Sequence, residues 1–309
     1  MLGLVRCDPG VLPCNCWLRE NFLNCQWVRE AFLIEVSMKS YPSTLVILFF
    51  FLIGGPLAVR AEFFLNESSN LKYEALFKAV KEVSKGELIR NEEEVRAFLE
   101  SSESFGNLDD SELSTIKNNL ADRLIRITEY KSKLPEVFLE ILQDGEQSAL
   151  WQDYVIQKVP NIYGDASAGE KRELLNQLSV YLSRKEGVIS GTTLLAYMRI
   201  AEKESRVQTS QVGLRALQIA SDESYGDGNR ITALSVGQHC GNRRIYDVAY
   251  DILESRESVT LKSTALSILS FDPSEKYADE IRSYLGHSDY RMRKSASAAV
   301  KRMEERNNG

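Results

Sequence analysis

Few groups in this chain of 309 residues have the type and spacing to do chemistry. Both histidines fall in its second half. His239 is followed directly by Cys240, but an imidazole that activates a thiol must meet it across space. Neighbours on a helix point about 100° apart, so their adjacency speaks against a catalytic pair. His287 stands alone in a turn, and neither histidine has a second ligand at metal spacing, so no metal and no cofactor is expected. The loop Ser221-Asp-Glu-Ser-Tyr-Gly-Asp-Gly-Asn229 carries Asp222, Asp227 and Asn229, yet it lacks the alternating ligands and closing Glu of a calcium loop. An acidic, glycine-rich turn between helices explains it. Gly187-Val-Ile-Ser190-Gly191 places its serine one position too late for a nucleophile elbow, and no phosphate-cradling or dinucleotide glycine motif occurs. The enzymatic alternative is a hydrolase of an envelope polymer using paired carboxylates, for instance from Glu202, Glu204, Asp222 or Asp227.

Two clusters have the makings of a binding surface instead. In Trp151-Gln-Asp-Tyr-Val-Ile-Gln157, Asp153 and Gln157 lie one helical turn apart beside Tyr154, placed to receive a partner. The competing expectation buries Trp151 and Tyr154 and uses the polar groups to join neighbouring helices. Near the C-terminus Arg291, Arg293, Lys294, Lys301 and Arg302 form a basic cluster suited to an anion, unless Arg293 pairs with Asp289 four residues earlier and the others face water. Candidate partner-binding residues are therefore Trp151, Asp153, Tyr154, Gln157, Arg291, Arg293 and Lys294.

The elements that position these residues read as helices. Helices are expected at about Tyr73 to Val83, Glu92 to Leu99 and Leu113 to Lys131, the last with Ile116, Leu120, Leu124 and Ile127 on one face and Asp109 and Asp110 as N-terminal caps. From Leu134 onward shorter helices come in pairs, with breaks expected at Gly145, Pro160 to Gly164, Gly187, Gly226 to Gly228, Gly241 and Pro273. Residues 258–269 align with 289–300 at an offset of 31, matching Leu261 with Met292, Lys262 with Arg293, Ala265 with Ala296 and Leu269 with Val300. One step further back, Arg230, Ala233 and Val236 match Lys262, Ala265 and Ile268. A period in this range marks stacked helix pairs that bury their apolar faces only against one another. Ile245, Val248, Ala249, Ile252 and Leu253 form the apolar stripe of one partner helix.

The segment Leu285-Gly-His-Ser-Asp289-Tyr-Arg-Met-Arg293-Lys-Ser-Ala296-Ser-Ala-Ala-Val300 resembles the second helix of a HEAT repeat, which starts with Asp, an aliphatic residue and Arg and continues to Ala and Leu. The resemblance spans roughly 135 to 303 and is strongest over 228 to 303, whereas Val259 to Leu269 lacks the Asp and Arg start. It implies an all-α fold, an α-solenoid of about five antiparallel helix pairs over 134–309, preceded by a smaller helical region at 62–133. It also implies a binding scaffold with a protein partner and no catalysis.

The N-terminal part addresses the compartment. From Met38 the sequence reads as a positive start at Lys39, an apolar run from Leu45 to Ile53 and a small-residue processing site at Val59-Arg60-Ala61. Nine apolar residues fall short of the roughly 20 that span a bilayer. A signal peptide at 38–61 is expected, with a secreted or periplasmic product that touches membrane only if this segment stays uncleaved. Residues 1–37, which hold Cys7, Cys14, Cys16 and Cys25 without zinc spacing, read as an upstream extension with no ordered fold. Beyond residue 61 the chain carries 33 basic and 40 acidic residues and the single thiol of Cys240. A negative balance without a broad basic excess makes nucleic acid an unlikely general partner, and with one thiol the fold must rest on packing.

Overall fold

The computed structural model describes residues 72–307 except 104, 106, 205 and 206. The expected extension, the signal peptide and the leader at 62–70 lie outside them. Among the described residues there are helices and no strands, and no helix is long and apolar enough to cross a membrane. The helices are α1 (Tyr73–Glu82), α2 (Lys85–Arg90), α3 (Glu92–Glu100), α4 (Asp110–Leu124), α5 (Thr128–Lys131), α6 (Leu134–Gln143), α7 (Ala149–Ile162) and α8 (Ala168–Leu182). They continue as α9 (Ile189–Ala201), α10 (Thr209–Ser221), α11 (Asp227–His239), α12 (Arg244–Glu254), α13 (Val259–Leu269), α14 (Ala278–Ser283) and α15 (Tyr290–Asn307).

Local sequence sets five of the helix starts through side-chain caps. Ser84 with Glu87, Asp109 with Glu112 and Ser167 with Glu170 are reciprocal capping boxes, in which each side chain holds the other's backbone N–H. Ser148 and Ser258 accept from the amides of Trp151 and Leu261 at 3.3 and 3.2 Å. One expectation is corrected. The helix predicted over 113–131 is two, because Arg126 and Ile127 turn back to the carbonyls of Arg123 and Leu124 and α5 starts afresh. α7 ends at Ile162, inside the break expected at Pro160 to Gly164, with Pro160 in its last turn leaving only one carbonyl without its helical donor. The break expected at Gly226 to Gly228 holds the start of α11, with Gly226 as its cap and Gly228 already helical.

The helices pack in chain order. α3 pairs with α4, α6 with α7, α8 with α9, α10 with α11, α12 with α13 and α14 with α15. The second helices form one continuous row, α4, α7, α9, α11, α13 and α15, each against the next. A first-helix row runs α3, α6, α8 and, separately, α10, α12. This stacking is a helical-repeat solenoid. Neighbours in the second row approach more closely than those in the first.

Small residues permit that approach. Ala233, Ala265 and Ala296, the repeated alanines, have no exposed surface. A Cβ on Gly237 would stand 2.7 Å from Cδ1 of Ile245, so α11 and α12 meet only because that position is glycine. One contiguous apolar core runs from Leu76 to Ile200 and passes through residue 133 uninterrupted. Each fully buried Leu or Ile stabilises by about 1.5–3 kcal/mol, against at most about 1 kcal/mol for an exposed ion pair. Apolar stacking therefore outweighs pairs such as Lys78 with Glu82 or Lys301 with Glu305.

Candidate binding surface

The fourth residue of three of the second helices explains how their pairs lock. Gln152 in α7 donates from Nε2 to the carbonyls of Asp144 at 2.9 Å and Ile141 at 3.3 Å, closing the end of α6. Arg230, fourth in α11, donates from Nε to the carbonyl of Ala220 in the last turn of α10 at 3.0 Å and pairs with Glu257. Arg293, fourth in α15, donates to the carbonyls of His287 and Ser288 at 2.7 and 2.8 Å. At Arg230 and Arg293 the basic residue is thus a cap on carbonyls that precede its helix, where helical donors run out and the dipole favours a cation. This corrects the expected pairing of Arg293 with Asp289, whose carboxylate instead accepts from the Arg291 amide at 2.7 Å and is held below its usual range mainly by that bond.

Trp151 is corrected too. At 1% exposure it sits in the core and donates from Nε1 to the carbonyl of Leu99 at 3.0 Å, so it closes α3 rather than meeting a partner. Gln147 and Lys117 cap the next two carbonyls, Glu100 and Ser101. Lys117 is 2% exposed beside the rings of Phe98 and Trp151, and burial pushes its ammonium down to about 8.

The other three residues of the α7 cluster remain at or near the surface. Tyr154 is half-buried against the core, Gln157 is exposed, and Gln157 Nε2 donates to Asp153 Oδ2 at 2.8 Å. Burial raises the Asp153 carboxyl, and the hydrogen bond from Gln157 opposes the rise. Asp153 lines a cleft of about 580 Å³ with Ala149 and Leu150, faced by the loop from Arg184 to Ile189. The loop turns at Gly187, whose φ of 64° is left-handed. The cations at its rim are engaged: Arg184 lies over the Tyr181 ring at 4.0 Å, and Lys185 holds Asp222 and Ser224 at 2.9 and 2.6 Å.

The basic cluster does not form one anion-binding face. Arg302 turns inward to the carbonyl of Ser267 and to Ser270, over the Phe271 ring at 4.4 Å. Arg293 lies on backbone carbonyls, Arg291 and Lys301 each lie 3.7 Å from a carboxylate, of Asp289 and Glu305, and Arg291, Lys294 and Lys301 are exposed on α15.

The residues of the enzymatic alternative are each engaged separately. Glu202 meets His239 Nε2 at 2.7 Å, Glu204 meets Lys171 at 3.3 Å, and Asp227 accepts from the Ser258 hydroxyl. The Ser224 hydroxyl, then Lys185 and the Ser224 amide, draw Asp222 down to about 2. Cys240 is half-buried, and burial followed by the nearby Glu202 pushes its thiol up to about 11, away from nucleophile behaviour. His287 stacks on Tyr284 with centroids 5.6 Å apart and accepts the Asp289 amide at its Nδ1. Asn229 is wholly buried: Oδ1 accepts from the Gly191 amide and Nδ2 donates to the Gly187 carbonyl, both at 2.8 Å. Nothing local in the sequence marks this role, because its partners lie 38 and 42 residues away.

No protein-family profile and no curated protein sequence matches the chain. Among solved structures, a designed armadillo repeat protein is similar at 13% identity and a TM-score of 0.36, over 68% of this chain and 99% of that one. The fold is read from the chain's own helix packing, and by that packing it is a solenoid of helical repeats.

Proposed function

We propose that this chain is an exported scaffold that holds a protein partner against its second-helix row and carries out no reaction itself. The observation that carries the reading is the continuous row of second helices, stacked in chain order. Asp153 and Gln157 lie toward one end of this row and Arg291 and Lys294 at the other. Between them Thr232, Ser235 and Thr264 hydrogen-bond the carbonyls one turn earlier in their own helices. A partner covering that middle stretch has few charges to desolvate, which suits broad polypeptide contact better than capture of a small ion. The export half of the proposal rests on the sequence from Met38 to Ala61, and membrane contact would come only through that segment. The partner is a protein in preference to nucleic acid because the net charge is negative.

A photo-crosslinking amino acid placed in turn at Gln157, Ser235 and Lys294 tests the surface in producing cells, with Arg172 and Asp251 on first helices as controls. The same partner should be captured from the first three positions and not from the controls; equal capture from both sets would refute the assignment. N-terminal sequencing of protein from the extracytoplasmic fraction should begin near Glu62. Recovery solely from the cytoplasm, starting at Met1, would overturn export.

A further inference from the structure

We propose that the cleft between the start of α7 and the loop at 184–189 seats a segment of the protein partner in which a lysine or arginine stands beside an apolar residue. The inference rests on the scaffold reading and names the chemistry that this end of the second row would recognise. At about 580 Å³ the cleft has the size of a ligand site, and its walls are mainly apolar. Leu150 is half-buried, Ala149 is exposed, and Val188 keeps 59% of its surface open. The methylene stem of a long cationic side chain packs on such surface while its charged end reaches a polar group.

That polar group is Asp153. Its Oδ2 accepts from Gln157, a neutral donor, at 2.8 Å, and its Oδ1 is covered yet meets no donor among the described residues. A partly buried carboxylate with one neutral bond lacks a compensating charge, which a cation from outside supplies. Glu186, also lining the cleft, is exposed and pairs with no described cation. The cations of the cleft are directed elsewhere: Lys185 to Asp222 and Ser224, and Arg184 onto the Tyr181 ring and to Gln152 Oε1 at 3.5 Å. An anion finds less to hold it. In the first turns of α7 and α9, the Trp151 amide is taken by Ser148 and the Gly191 amide by Asn229. The loop wall is set before a partner arrives, because Asn229 donates to the Gly187 carbonyl at 2.8 Å and Tyr225 to the Leu182 carbonyl at 3.2 Å. Binding against a wall already in place avoids the cost of ordering it.

Methyl NMR of the full chain tests this with N-acetyl-leucyl-lysine methylamide and with the norleucine analogue, which lacks the ammonium. The lysine probe should shift the methyl signals of Leu150, Val188 and Ile189 and bind about fivefold tighter than the analogue. Asp153→Asn, which keeps an acceptor for Gln157, should bring the two probes to equal affinity. Val188→Trp, at an exposed position, should abolish the binding of both. Equal affinities in the unaltered chain, a preference that survives Asp153→Asn, or shifts confined to other methyls would overturn the assignment. Pentylamine binding as tightly as the lysine probe would overturn the polypeptide occupant in favour of a free amine. If crosslinkers at Gln157, Ser235 and Lys294 capture a partner while the lysine probe does not bind, this inference falls and the scaffold reading stands. Probe binding without capture removes the scaffold reading and leaves the preference of the cleft.

Discussion

Replacing Arg230 with methionine separates two meanings of a repeated basic residue. Arg230 and Arg293 occupy the same position in the alignment and the same turn of their helices, yet their surroundings differ. The Arg230 side chain is 4% exposed, caps Ala220 in the interior and faces Glu257, which is itself mostly covered. Arg230→Met leaves a buried helix-end carbonyl without a donor, worth about 1–3 kcal/mol, and a carboxylate without its partner. Breaking a buried pair costs about 3–5 kcal/mol, and the 20% exposure of Glu257 brings the expected loss to the lower end, about 3 kcal/mol. For a domain of this size about 2–4 °C accompanies each kcal/mol, so the melting temperature followed by helical circular dichroism should fall by roughly 6–12 °C. Arg293→Met removes bonds to two carbonyls in a partly solvated turn and should cost under about 1 kcal/mol. A fall below about 2 °C for Arg230→Met, or equal falls for both variants, would refute the link between burial of the cap and its contribution.

Three further outcomes follow from the packing. Lys117 should give the fold a pH dependence: its native pKa of about 8 lies below the ordinary 10.5, so the unfolded chain binds more protons between those values and stability rises with pH across that window. The difference in melting temperature between wild type and Lys117→Met should change over the same window, and a flat difference would exclude the assignment. Gly237→Ala should destabilise by about 1–3 kcal/mol through contact with Ile245, with partial rescue by Ile245→Val, whereas Gly145→Ala, which meets nothing within 4 Å, should be silent in the same melts. At pH 8 the thiolate fraction of Cys240 should be roughly a hundredfold below that of an ordinary thiol. Mass spectrometry of its peptide after iodoacetamide treatment would show correspondingly slow alkylation, and rapid labelling of folded protein would contradict the burial.

The repeat was legible because it is periodic: the alanines at 233, 265 and 296 recur at nearly equal steps, and each is buried against a neighbouring helix. The basic residue at the fourth position was legible as a pattern but not as a role. Its acceptors are backbone carbonyls, which every residue carries and no sequence distinguishes. Trp151 illustrates the same limit, since the residue it serves, Leu99, is 52 positions earlier. The short helix α2 was overlooked although Ser84 and Glu87 spell its capping box, because six residues are too few for an apolar period to emerge. Asn229 was weighed as a calcium-loop residue because its neighbours are acidic, whereas its environment is set by the preceding pair.

The tyrosines give the stack a direction in time. The hydroxyl of Tyr181 closes the carbonyl of Leu142, and that of Tyr225 closes the carbonyl of Leu182, across 39 and 43 residues. Each rung belongs to the pair after the one it completes. A chain emerging N-terminus first, from a ribosome or a translocation pore, therefore has an unfinished last pair until about forty more residues have followed, and the structure grows by handing its open end forward.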